Sequence, residues 1–267
     1  MALRRSTGYV NALAYGLGEG AILNDMKLNV YTGAQPASAN DAPTGTLLAT
    51  FSLAAGAYTA ETRATTLINL TGGASGQITQ ISIGGVNLLS SAVAFNTSLA
   101  LTAADVANTI NNTFTYPDYS ASVSGTTVTI IAPKNSGANL NGLTVAVTAT
   151  TITYTINGGS STTLGGAGAT AGVAAVNGLQ MSYPPSSGVI TKTAGAWQGT
   201  AVATGTAGWF RCVCSGDDDN TLDNTGRFLR LDGSIGTTGA DMLVTSTSIT
   251  NGATQTINTF QISVPQQ

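Results

Sequence analysis

At 267 residues the chain has room for one large domain or two ordinary ones. With 8% of residues charged and 42% hydrophobic it is no disordered polymer, and no run reaches the roughly 20 consecutive apolar residues of a membrane span. Nine basic and twelve acidic side chains leave no basic patch for nucleic acid, and the lack of histidine removes the usual neutral-pH acid–base group.

In chain order, "RRSTGYVNALAYGLG" predicts a helical arm over about residues 4–17. Tyr9, Leu13 and Leu17 recur every four residues, with Val10 and Ala14 beside them. Ser6 or Thr7 is placed to cap this helix and Gly18 to stop it; Arg4–Arg5 reads as its solvated end. No apolar signal-peptide core follows the arginines, so synthesis in the cytoplasm is expected. "MKLNVYTG" then predicts a strand with Met26, Leu28 and Val30 on one face, "QPASANDAPTG" a loop, and "TLLATFSL" a second strand.

From about Thr65 the character of the sequence changes. "GQITQISIGGVNLL" predicts a hairpin turning at Gly84–Gly85, with Ile78, Ile81 and Ile83 in imperfect alternation. An amphipathic helix follows, with Thr102 and Asp105 as a capping pattern, Val106, Ile110 and Phe114 as its apolar stripe, and Tyr116–Pro117 as its stop. A hairpin around Ser124–Gly125 and two strands in "LTVAVTATTITYTI" complete a β-β-α-β-β-β segment, read as one helix on one antiparallel sheet. "NGGSSTTLGGAGATAG" reads as a flexible exit linker. After Val176 the character of the first 64 residues returns, with six strand candidates between Gly, Asn and Asp turns.

The fold expected is therefore mainly β. A discontinuous β-sandwich or jelly-roll-like host domain (1–64 and 177–267) is interrupted by a small inserted α+β domain (65–157), with a Gly-rich linker at 158–176.

Three groups of residues invite a chemical reading. "SGDDDNTLDNTG" gathers Asp217, Asp218, Asp219 and Asp223, oxygen donors of the kind calcium takes, but without the alternation and closing Glu of an EF-hand loop. A solvated hairpin turn is the favoured reading, and no metal is assigned. Cys212 and Cys214 share one face of a strand; zinc would lack two further soft ligands and a disulfide there would be strained, so both read as small core residues. Trp197, Trp209 and Phe210 fit either a carbohydrate-stacking surface or, preferentially, a core. The glycine runs lack the Lys-Ser/Thr end of a phosphate loop. No catalytic residue and no cofactor is predicted.

"LRRSTGYVNALAYGLG" followed by "LNVYTGAQPASANDAPTGTLLATFSL" resembles the start of structural proteins of tailed bacteriophages. "GTAGWFRCVCSGDDDNTLDNTGRFLRLDGSIGTTGADMLVTSTSITNGATQTINTFQISVP" resembles the rest of that domain. "ISIGGVNLLSSAVAFNTSLALTAADVANTINNTFTYPDYSASVSGTTVTIIAP" is similar to a module that recurs in phage virion proteins, often as an insertion. The resemblance implies a non-enzymatic virion component, foremost a capsid decoration or cementing protein on the head lattice. A neck, collar, tail or fibre component in low copy number is the alternative, and a carbohydrate-binding adhesin a further one. It implies other virion proteins as partners (the major capsid protein, or neck and tail proteins), homo-oligomers, neither nucleic acid nor membrane, and residence in the virion.

Overall fold

The computed structural model describes residues 3–14, 16–113, 118–182, 184–214 and 218–263. It is mainly β, sandwich-like, with several antiparallel sheets. The chain divides into two compact units, Met1–Ala60 with Ala175–Gln267, and Glu61–Ala174. Among the described residues no helix is long and apolar enough to cross a membrane.

The first unit is built on one nine-stranded sheet. Its path runs Arg4–Arg5, Arg230–Gly236, Gly205–Val213, Lys27–Thr32, Leu47–Leu53, Trp197–Thr200 and Thr254–Ile257. Met242–Leu243 adds in parallel to Arg230–Gly236, and Ser248–Ile249 pairs with Gly205–Val213. Val189–Thr191 and Gln261–Ser263 form a separate two-stranded ribbon. One face is apolar: Leu28, Val30, Phe51, Phe210, Cys212, Leu231 and Ile235 belong to a single core with Tyr9, Trp197 and Phe260.

A one-residue bulge decides which side chains reach that core. Ala207 pairs with Thr32 and Trp209 with Tyr31, so Gly208 is the extra residue and the alternation changes parity across it. Ala207 and Phe210 consequently share the apolar face, while Trp209 and Arg211 turn to the other. Only glycine fits, because a Cβ at position 208 would strike the carbonyl oxygen of Gly33.

The N-terminal arm differs from the single helix expected over 4–17. Arg4–Arg5 is a strand paired with Leu231 and Asp232, not a solvated helix end, and Arg5 donates to the buried Glu19 at 3.0 Å. The first helix is Thr7–Ala14, capped by Ser6 Oγ, which accepts from Tyr9 N–H. Tyr9 is buried and Leu13 and Leu17 pack on the core, but Val10 is exposed. Gly18 stops nothing: it is the N-cap of a second short helix, Glu19–Leu23.

The second unit holds two four-stranded sheets, not one. Val145–Thr150, Gln77–Ile83 and Val86–Asn87 form the first, with Val93–Ala94 also on Gln77–Ile83; Thr153–Ile156, Thr65–Gly72, Thr127–Ile131 and Ser120–Ser124 form the second. Ile78 and Ile81, three apart, are both buried because Ala149 pairs with Ile78 and Thr148 with Gln80, leaving Thr79 as a bulge. The helix Leu99–Asn112 buries Ala103, Val106, Ala107 and Ile110. It starts three residues before Thr102: Ser98 is the N-cap, its side chain accepting from Leu101 N–H at 3.2 Å. Thr102 is inside the helix, bonded to Ser98 O and Asn96 N–H, and Asp105 accepts from Asn96 Nδ2. Phe114, Tyr116 and Pro117 lie outside the described residues.

The segment expected as a flexible linker is folded into this second unit as far as Ala174. Leu164 is fully buried, Gly165 N–H donates to Thr65 O, and Asn157 binds Leu67 N–H and Thr163 O through its side chain. Glycine abundance signalled tight turns here, not freedom. Thr62 and Val173, near the ends of the second unit, pair in both directions, as Thr59 and Val176 do in the first.

Both tryptophans belong to the first unit, so indole fluorescence reports on it alone. Ile110→Ala should cost the second unit about 2–5 kcal/mol, the usual effect of truncating a buried isoleucine. Urea titration followed by far-UV circular dichroism is expected to show a transition at lower urea while the fluorescence midpoint stays in place.

Candidate functional site

The face of the first unit's sheet opposite its core is also buried, and it is polar. Register places Arg4, Asp232, Arg211, Asn29 and Thr50 side by side across five strands. Arg211 and Asp232 are wholly buried and joined by two bonds of 2.8 Å, Nε to Oδ1 and Nη2 to Oδ2. Arg211 Nη1 also donates to Asp41 O and Asn220 Oδ1. Two residues before Asp232 on the same strand, Arg230 makes a second two-bonded pair with Asp218, both side chains again fully buried. Its Nη1 faces the carbonyl oxygens of Ala39, Asn40 and Asp41 at 3.3–3.5 Å.

These arginines fasten two loops, residues 33–46 and 218–229, over the polar face. Arginine suits the task because its planar fork meets a carboxylate with two bonds and retains a donor for backbone carbonyls. Trp209 continues the lid: its ring stacks on Tyr31 at 4.6 Å, its Nε1 donates to Thr44 O, and the Arg211 guanidinium lies 5.5 Å from its centroid. Asn220 Nδ2 donates to Tyr31 Oη at 2.6 Å.

The acidic cluster is thus not a solvated turn. Asp218 is consumed by Arg230 and by the N–H of Asn220. Asp223 is buried as well, and its carboxylate accepts from Thr225 N–H and hydroxyl, Gly226 N–H and Phe228 N–H. Of the three described aspartates, Asp219 is the exposed one, bonded to Thr221. Asp217 lies outside the described residues. Among the described residues no three His, Cys, Asp or Glu side chains converge as a metal site would require.

Trp197, Trp209 and Phe210 are all buried, so they form no exposed surface for stacking a sugar. Trp197 packs on Phe260 at 5.2 Å in the core; Phe210 meets Phe260 edge-on. Cys212 and Cys214 are free thiols in the same core, and burial pushes both well above the ordinary thiol range, away from reactive thiolate. Sequence reasoning missed Arg211, Arg230 and Asp232. The signal was "WFRCVC" and "FLRLDG", where charges alternate with apolar residues in strands long enough to be central.

On the apolar side, a cavity of about 280 Å³ opens between residues 242–246 and 255–259. Val30, Phe51, Ile235, Met242 and Ile257 floor it, no charged side chain lines it, and Leu243 at its rim is 63% exposed.

Asp218→Ala should cost about 3–5 kcal/mol in denaturant unfolding, since it strands the Arg230 charge in a dry interior. Asp219→Ala, at an exposed side chain bonded to Thr221, should leave the midpoint in place. Asp223 gives a pH signature. Burial works to raise its carboxyl, but the hydrogen bonds from Thr225, Phe228 and Gly226 prevail and hold it below the ordinary 3.8. Its contribution is complete above that ordinary value and fades as pH falls through the lower folded one. The gap in thermal midpoint between wild type and Asp223→Asn should accordingly be widest above about pH 4 and narrow in stronger acid.

No family model, curated protein or solved structure matches this chain.

Proposed function

We propose that the chain is a non-enzymatic structural component of a bacteriophage virion, a decoration or cementing protein that binds the head lattice. The observation that carries this reading is the surface of the second unit. Across residues 61–174 the only Asp, Glu, Lys or Arg residues are Glu61, Arg63, Asp105, Asp118 and Lys134. Two of these are engaged by backbone: Glu61 accepts from Asn135 and Gly137 N–H, and Arg63 donates to Ala132 O. The strands show Ser122, Ser124, Ala146, Thr148, Thr150 and Thr153 to the outside. Such a surface is wetted by hydroxyls, yet it meets protein with little charge to desolvate.

In the first unit the buried pairs Arg211–Asp232 and Arg230–Asp218 hold loops in place, a supporting role that fits a building block. The neutral cavity beside Leu243 offers this unit a place to receive an apolar side chain of the lattice.

Quantitative mass spectrometry of purified virions, calibrated on the major capsid protein, tests the proposal. A copy number that scales with the lattice is the expected result. A small fixed number would move the protein to the neck, collar, tail or fibres, and absence from the particle would refute a structural role.

A further inference from the structure

The strand Ser120–Ser124 ends one sheet of the second unit and, among the described residues, is paired on one side only, with Thr127–Ile131. Ser124 and Thr127 close this hairpin, so antiparallel alternation points the N–H and C=O groups of Ala121 and Val123 away from the sheet. An open edge of this kind is a template for another strand, and proteins blunt it with short length, charge, proline or bulges. The other outer strands of the unit have such protection. Val86–Asn87 is two residues long, and the pairings of Val145–Thr150 and Thr153–Ile156 each contain a register shift. Ser120–Ser124 runs through five pairs without a shift, its sequence SASVS has neither charge nor proline, and Val123 is 42% exposed.

The side chain of Asn111 covers part of the edge. Asn111, in the last turn of the helix Leu99–Asn112, accepts from Ala121 N–H at its Oδ1 and donates from its Nδ2 to Ala121 C=O, both at 2.8 Å. Those are the two bonds that a residue of an adjoining strand would make. We propose that Asn111 is a plug: its carboxamide stands in for a neighbouring strand at Ala121 and holds the Ser120–Ser124 edge closed against a second copy of this chain. The occupant follows from the strand itself. Antiparallel pairing about a two-fold axis through Ser122 would set Ser120 opposite Ser124 and Ala121 opposite Val123 of the second copy, with no charge to desolvate. The plug is local: Val123, two residues on, is 42% exposed, and among the described residues Asn111 bonds to this strand at Ala121. This inference is independent of any role in a virus particle.

The test compares full-length wild type with Asn111→Ala by light scattering over a wide concentration range, with circular dichroism to establish folding. The variant is expected to reach twice the wild-type mass, and adding Val123→Lys is expected to restore the wild-type mass by charging the edge. A natively folded Asn111→Ala with wild-type mass throughout would overturn the proposal, as would association that Val123→Lys leaves intact. Amide exchange on wild type gives a reading that needs no variant. Ala121 should exchange about tenfold more slowly than Val123, the factor that one hydrogen bond of ordinary net strength supplies. Equal rates at the two positions would refute the plug.

Discussion

The central strands of the first unit are buried on both faces, and only one of those faces is apolar. Arginine and aspartate on a second buried face are stable only when paired, because an unpaired charge in a dry interior costs several kcal/mol. The Arg211–Asp232 and Arg230–Asp218 pairs meet that demand, and in meeting it they fix the loops above. Residues 33–46 are held through their carbonyls and residues 218–229 through Asp218 and Asn220. Connections that glycine, proline and asparagine would otherwise leave loose are thus tied to the sheet. Replacing the pairs with apolar side chains of similar volume would satisfy the strands, but the loops would lose their anchors.

The second unit solves a different problem with the same economy of charge. Its core is aliphatic, Ile68, Ile78, Ile81, Val106, Ile110, Val128 and Ile130 among others, and its polar work falls to Asn, Thr and Ser. Asn157 bridges Thr66, Leu67 and Thr163; Asn141 clamps both sides of Gly172; Asn111 covers an edge. Carboxamides suit these places because each offers a donor and an acceptor side by side, matching one backbone N–H and C=O. The unit is thereby held together largely by groups that carry no charge, which leaves its surface poor in charge and makes edge protection depend on geometry.

Much of the architecture was legible in the residues. Two kinds of strand sequence, one returning after the other, marked a discontinuous unit and its interruption. The apolar stripe of Val106 and Ile110 marked the helix, and Met26, Leu28 and Val30 marked a core-facing strand. Boundaries were less legible. The helix cap lies at Ser98 because Thr102 is already bonded inside the first turn, and Gly18 opens a helix because the preceding turn closes at Gly16, at φ +92°. The glycine-rich stretch to Ala174 reads as flexible until its turns are seen bonded to Thr65 and Asn141.

What the sequence by itself determined is local: mainly β structure from alternation, turns from Gly, Asn and Asp, and a charge-poor surface from composition. What only the tertiary structure decided is which polar residues are buried and what they bind. Arg230 and Asp218 are twelve residues apart, Asn40 and Asp223 far more, and no periodicity announces that they meet. The bulge at Gly208 shows the reason. One extra residue reverses the alternation, sending Phe210 into the core and Arg211 to the polar face, and the need for it comes from the partner strand, which the local sequence does not contain.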